Sequence, residues 1–276
     1  MKVLAVFTCH NRKEKTIKSI ETLVNGNPET DISFIAVDDG STDGTSEALH
    51  ELKSSSNTKI DIIRGDGSLF YSGGMRKGIE RAKKLLATHD PDAVLLFNDD
   101  VEFYDKCLDH ALEESLDKVF VGPTEDGQGK LTYGGARYNA GKGSIKYDTI
   151  GPQASDRSCN TFNANFVLIP KDVFIKMPNI DMRFKHSMGD FDLGLELSRA
   201  GIGIEVLDNY IGVCLTNSEK GTWEDRSLSR IERIKKKESP KGLPFVQWFY
   251  FLKKNFGVKQ AIIHSVTPYI KILIGL

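Results

Sequence analysis

The chain has 276 residues, 39% of them hydrophobic and 27% charged, with 37 Lys and Arg against 38 Asp and Glu for a net charge of -1. This length suits one large domain, or one domain with an appendage, and the balanced charge supplies no basic field for nucleic acid. A mean hydropathy of -0.30 is that of a soluble globular protein, and Cys9, Cys107, Cys159 and Cys214 fit neither a zinc pattern nor a dense disulfide framework, so a reducing, cytoplasmic setting is expected.

The apolar run that opens the chain is too short for a signal peptide or a membrane span and reads as a first strand, Lys2 to Phe7. Residues 13–24, "KEKTIKSIETLV", repeat their apolar positions at helical spacing. Ile32 to Val37 is a second strand that stops at "DDGSTDGT", where Thr42 and Asp43 can cap a helix through Ser46 to Leu52. Ile60 to Ile63, Gly78 to Ala87, Ala93 to Phe97 and Lys106 to Leu116 continue the alternation as strand, helix, strand and helix. This order implies a mostly parallel α/β sheet with helices on both faces. Residues 124–156 have little periodicity and are expected as irregular strands and loops over the carboxyl edge of the sheet. "NFVLIPKDVFIKM" returns to strand and helix, and "GDFDLGLELSRAG" is a helix with Gly201 after its end.

Ligands of open sheets gather at the carboxyl ends of the strands. Three of these ends are polar here: Thr8 to Asn11, Asp38 to Asp43, and Asn98 to Asp100. Adjacent carboxylates at the mouth of a buried strand repel each other and resist desolvation. A divalent cation such as Mg²⁺ or Mn²⁺, shared with phosphate oxygens, removes that conflict. The competing reading makes Asp99 and Asp100 N-cap residues of the next helix and "VDDGSTDGT" a plain turn.

"VFTCHNR", "VDDGSTDGT" and "FNDDV", in that order and spacing, resemble the nucleotide-sugar half of a family-2 glycosyltransferase of the GT-A (Rossmann-like) fold. The similarity continues through "NANFVLIPKDVF" and "HSMGDFDLGLELSRAG" to about residue 213. It implies a transferase domain over residues 1–213, with a nucleotide-binding half (1–105) and an acceptor-side half (106–213). Thr8 and Asp39 would contact the base and ribose, Asp99 the ribose, and Asp100 the cation on the pyrophosphate. "GDGSLFYSGGMRKGI" matches the segment that closes over the nucleotide, with Asp66 and Arg76 as contacts; it resembles cell-surface polysaccharide transferases of the rhamnosyltransferase type, so UDP- or dTDP-sugars are the expected donors. Asp190 falls at the family's general base, which accepts the proton of the attacking acceptor hydroxyl in an inverting reaction. Asp192 is expected to support structure or bind acceptor, and His186 to touch acceptor or phosphate, or to be a satisfied structural histidine. Where many relatives have a metal- or phosphate-contacting His, "VCLTNSEKGTW" has Cys214, Thr216 and Asn217.

A sugar nucleotidyltransferase would show a Gly-rich, Arg-containing signature after the first strand and a dehydrogenase G-x-G-x-x-G; "TCHNRKEK" is neither. A non-catalytic sugar-binding module remains the alternative of a different class. Residues 214–276 form a mainly helical appendage. Its residues 226–241 carry seven Lys or Arg against two Glu, followed by "PFVQWFYFLKKNFG" and an apolar tail. Two readings stand for it. Either its basic run, Trp248 to Phe251 and the apolar tail Ala261 to Leu276, broken by His264, Pro268 and Lys271 and too short to span, hold the enzyme on the cytoplasmic membrane face near a glycan or lipid-linked acceptor, or it packs as a helical cap or a homodimer contact.

Overall fold

The computed structural model describes the chain except residues 56–57, 115 and 141–143. Ser115, inside the expected helix Lys106 to Leu116, and residues 141–143, inside the expected irregular region, lie outside the described residues.

The strands and helices β1 (Lys2–Cys9), α1 (Lys13–Gly26), β2 (Asp31–Asp38), α2 (Thr45–Ser55), β3 (Lys59–Arg64), α3 (Phe70–His89) and β4 (Ala93–Phe97) alternate as the periodicity predicts. The chain continues through β5 (Glu102–Phe103), α4 (Cys107–Glu113), β6 (Val119–Val121), β7 (Thr124–Glu125), β8 (Leu131–Tyr133), β9 (Gly135–Ala140), β10 (Ile145–Ile150), β11 (Thr161–Phe162) and β12 (Phe166–Pro170). Then come α5 (Lys171–Lys176), α6 (Gly189–Arg199), β13 (Ile204–Val206), β14 (Gly212–Val213), α7 (Arg230–Lys237), α8 (Phe245–Phe256) and α9 (Val258–Ile274).

A seven-stranded sheet runs in the order β13-β6-β12-β4-β1-β2-β3. Strand β1 lies parallel to both β2 and β4, and β2 to β3; β12 runs antiparallel between β4 and β6. Alternating side chains of each strand sort into two cores. Ala5, Phe7, Leu95 and Phe97 pack with Ile20 and Leu23 of α1 and Leu108 of α4. Leu4, Val6, Val94 and Leu96 pack with Met75 and Ile79 of α3 and Leu193 and Leu197 of α6. Helices therefore cover both faces, which is why β4 is apolar at every position.

Helix α3 starts at Phe70, eight residues earlier than its charge pattern suggests. Gly73, Gly74 and Gly78 interrupt the sequence signal, yet the helix needs two of them: a Cβ on Gly74 would collide with the Thr8 side chain, and one on Gly78 would come within 2.5 Å of Val6 Cγ1. Close packing of α3 on β1 outweighs the intrinsic helix cost of glycine, ~1 kcal/mol each. The region expected as irregular contains ordered pairs instead. Strands β10, β9 and β11 form one antiparallel sheet, and β5, β14, β7 and β8 another.

The appendage packs on the sheet domain through Phe251, Leu252 and Ala261, which cluster with Phe184 and Leu195. The Trp248 ring stacks 5.4 Å from that of Phe251, and its Nε1 donates to His264 O. Phe251 thus faces the protein interior, while Trp248, Phe249 and Tyr250 are half-buried. Two cations of the basic run are buried as well: Arg233 donates to Leu276 O and Trp223 O, and Lys237 Nζ lies 4.1 Å from the Tyr269 ring centroid. No helix among the described residues is long and apolar enough to cross a membrane.

Candidate active site

The carboxyl ends of β1, β2 and β4 open into one cavity of about 450 Å³, within the size range of small-molecule sites. Thr8, at the end of β1, donates its hydroxyl to Val37 O at 3.0 Å. Asp39 follows β2 and is 3% exposed. Its two carboxylate oxygens accept the backbone N–H groups of Gly67 and Phe70, each at 2.9 Å, and so carry residues 65–70 to the cavity rim. The start of α3 is positioned by this contact. Asp66 and Arg76, both expected at the nucleotide, lie outside the cavity wall. Asp66 is exposed and accepts from Ser68 N and Oγ in a local turn; Arg76 donates to Asp181 O and Phe184 O, bracing the loop before α6.

The carboxylate pair at the end of β4 has a partner that its own strand does not reveal. Arg12 Nη1 lies 2.7 Å from Asp100 Oδ2 and 3.2 Å from Asp99 Oδ1, so one guanidinium bridges both acids. Thr16 Oγ1 also donates to Asp99 Oδ2 at 3.0 Å. Burial still pushes the Asp99 carboxyl up to about 6, against the pull of Arg12 and with Asp100 adding to the rise. Neither acid accepts a helix-end N–H, so the capping role does not describe them; the pair stands at the cavity wall instead. Asn98 Nδ2 donates to Asn165 Oδ1, tying β4 to β12. Cys214 Sγ stands 3.8 Å from Asp100 Oδ1, on the side where the sequence lacks a histidine.

Among the described residues no group of three or more His, Cys, Asp or Glu side chains could hold a metal ion unaided. Asp100 remains part-exposed at the cavity wall, with oxygen donors only. That fits a hard cation held by one or two carboxylate oxygens, ligand phosphate oxygens and water, the usual manner of Mg²⁺.

Asp190, which lines the same cavity, occupies the first turn of α6 and is 7% exposed. Met188 stands at the N-cap and makes no side-chain cap bond, so Asp190 is not the cap. Its carboxylate accepts Phe191 N at 2.9 Å and Ala164 N at 3.2 Å. Burial outweighs these bonds and lifts the carboxyl to about 6. His186 is held down to about 4 by burial, with Lys241 and Arg12 adding to the effect, so its ring is neutral at pH 7. Asp192 is absent from the cavity wall: it is 1% exposed, with Lys254 Nζ at 2.5 Å and Asn255 Nδ2 at 2.9 Å, and fastens α6 to α8.

Four buried polar atoms of the cavity wall have no protein partner: Tyr71 Oη, Asn98 Oδ1, Asn163 Oδ1 and His186 Nδ1. Buried polar groups are paired in the great majority of native interiors, so a cluster of orphans lining one cavity points to a polar ligand. Of the residues that complete this wall, Arg12 sits in the motif "VFTCHNR" and Lys241 at the end of the basic run 226–241, but periodicity cannot bring either to the cavity. Tyr71 and Asn163 carry no sequence signal beyond lying in matched segments.

A doubly covered sheet with acids converging at its carboxyl edge defines a nucleotide-site α/β enzyme of the GT-A type. The family model for glycosyl transferase family 2 matches residues 5–176, and the chain belongs to that family. Solved structures similar to it include a mannosyltransferase from Pyrobaculum calidifontis in complex with GDP-Man and Mn²⁺, at 10% identity and TM-score 0.55 over 99% of this chain and 73% of that one. TarS 1–349 from S. aureus in complex with UDP-GlcNAc is another, at 14% identity and TM-score 0.55 over 99% of this chain and 81% of that one. At these identities the likeness establishes the fold. A comparison with curated protein sequences finds no match.

Proposed function

We propose that the chain is an inverting transferase that moves a sugar from a nucleoside-diphosphate donor to a hydroxyl of a glycan or lipid-linked acceptor in cell-surface polysaccharide synthesis. The observation that carries this reading is one cavity lined both by the Asp99–Asp100 pair and by Asp190, whose carboxyl is raised by burial to about 6. The similar structures with GDP-Man and with UDP-GlcNAc support a nucleotide-sugar donor.

Donor binding falls to the strand ends. Thr8 and Asp39 flank the base and ribose, Asp99 the ribose, and the orphaned Asn98 and Asn163 oxygens accept donor hydroxyls. Asp100 is the residue to hold Mg²⁺ or Mn²⁺, which supplies charge neutralisation for the departing diphosphate. Arg12 balances the two acids before donor arrives and, with Lys241 from the appendage, places positive charge beside the phosphates.

Asp190 accepts the acceptor hydroxyl's proton as that oxygen attacks the anomeric carbon and the carbon–phosphate oxygen bond breaks. The sugar inverts in a single displacement, with no covalent enzyme step. A carboxyl poised near 6 is ionised at neutral pH yet a stronger base than an exposed aspartate. Neutral His186 can accept a hydrogen bond from acceptor at its orphaned Nδ1 or donate from its other nitrogen.

Release of nucleoside diphosphate, measured with UDP-, dTDP- and GDP-sugars and Mn²⁺ in the presence and absence of glycan acceptors, tests the proposal. Acceptor-stimulated turnover supports it. Donor binding with no turnover under any acceptor identifies a binding module instead.

A further inference from the structure

The outermost helix is amphipathic with its faces reversed. Helix α9 turns Ala261, Ser265, Pro268 and Ile272 inward, all buried. Ser265 Oγ is among the buried atoms without a hydrogen-bond partner. On the outward side, Ile262, Val266, Ile270, Leu273 and Ile274 are 43 to 62% exposed. Their spacing of four, four, three and one residues makes a continuous stripe. A water-facing helix places its polar residues outward, so this stripe has some other surroundings.

The charge of its own segment says which, the acids that reach α9 being Glu238 at Tyr269 and Glu224 near Lys271. From Ser239 to Leu276 the chain has no Asp or Glu and five Lys, and Lys253, Lys259 and Lys271 are exposed. Lys259 stands three residues before Ile262, on the stripe's own side, and Lys271 flanks Ile270. We propose that the outward face of α9 docks on an anionic phospholipid surface, with the isoleucines in the acyl boundary and the lysines at the headgroups. At 17 residues and with Pro268 inside it, α9 is too short to span and lies in the interface plane. A two-fold contact between copies through the same face would desolvate Lys259 and Lys271, and residues 239–276 hold no acid to pair with them. This inference goes beyond the proposed reaction and shares no residue with the cavity except through the appendage that supplies Lys241 to the cavity wall.

Co-sedimentation of the full chain with phosphatidylglycerol–phosphatidylcholine vesicles, and with phosphatidylcholine alone, tests it. The wild type binds the anionic vesicles and is released by salt. Ile262→Glu with Ile270→Glu lowers partitioning on the order of 100-fold, since each side chain loses its apolar burial and brings a negative charge. Both positions face solvent, so the thermal melt of that variant matches wild type. Lys259→Gln with Lys271→Gln keeps the stripe and weakens binding by about five-fold per lysine. Equal partitioning of the Glu variant and wild type overturns the proposal, as does wild-type chain that ignores both vesicles. A concentration-dependent dimer in sedimentation velocity that the Glu variant abolishes, with no vesicle binding, also overturns it and makes the face a contact between copies.

Discussion

Asp190→Asn separates chemistry from architecture, because the two roles predict opposite changes in stability. Burial lifts this carboxyl from 3.8 to about 6, which amounts to ~3 kcal/mol against the ionised form in the folded chain. The folded chain keeps the proton to higher pH than the unfolded one. Stability therefore falls as pH rises from about 4 to about 6, and the full penalty persists above that window. Asparagine cannot ionise and retains one oxygen for the N–H groups of Phe191 and Ala164. Allowing ~1 to 2 kcal/mol for the weaker hydrogen bonds, the variant is more stable than wild type at pH 7.5 by ~1 to 2 kcal/mol; that advantage is lost near pH 5, and below it the variant is the less stable by up to ~1 kcal/mol. Turnover falls on the order of 100- to 10,000-fold. In the wild type, kcat/KM drops about ten-fold per pH unit below pH 6, as the base takes up its proton. Asp99, also raised to about 6, steepens that limb through the donor site. Urea melts at pH 4.5 and 7.5, with nucleoside diphosphate release from pH 5 to 8, measure all of this. A variant that is less stable at pH 7.5 yet turns over within ten-fold of wild type refutes the reasoning and leaves Asp190 a structural residue.

Asp100→Ala abolishes Mn²⁺-dependent nucleotide binding in isothermal titration while the melt changes little, since Arg12 still pairs with Asp99; unchanged affinity removes Asp100 from the metal site. Asp192→Ala leaves donor affinity intact and lowers stability by ~2 kcal/mol, because Lys254 loses its most buried acid but keeps Glu196 at 2.5 Å; a loss of acceptor affinity without a stability change would make Asp192 a binding residue. Gly74→Ala forces Thr8 or α3 to shift, costing ~1 to 3 kcal/mol and weakening nucleotide binding together, as a melt and a nucleotide titration on the same sample will register.

Periodicity alone located β1 to β4, the helices between them and the acidic strand ends, because a doubly covered parallel sheet demands continuous apolar strands and one-sided helices. From these the cavity's position follows. The ordered motifs carried the family, which the match over residues 5–176 bears out. What local pattern cannot encode is which side chains meet across the fold. Asp99 and Asp100 face Arg12, 87 and 88 residues away, and that contact explains how two carboxylates tolerate a buried strand end. Arg76 and Asp192 stand in matched segments, yet packing turns the first onto the loop at residues 181–184 and the second onto Lys254. The glycines of α3 look like breaks in the chain and act as close contacts, since a missing Cβ has meaning only beside the strand it approaches. The appendage divides in the same way: its composition announced aromatic, basic and apolar segments, but only the docking of Phe251 on Phe184 and Leu195 decided that Phe251 faces inward and Ile262, Ile270 and Ile274 of α9 outward.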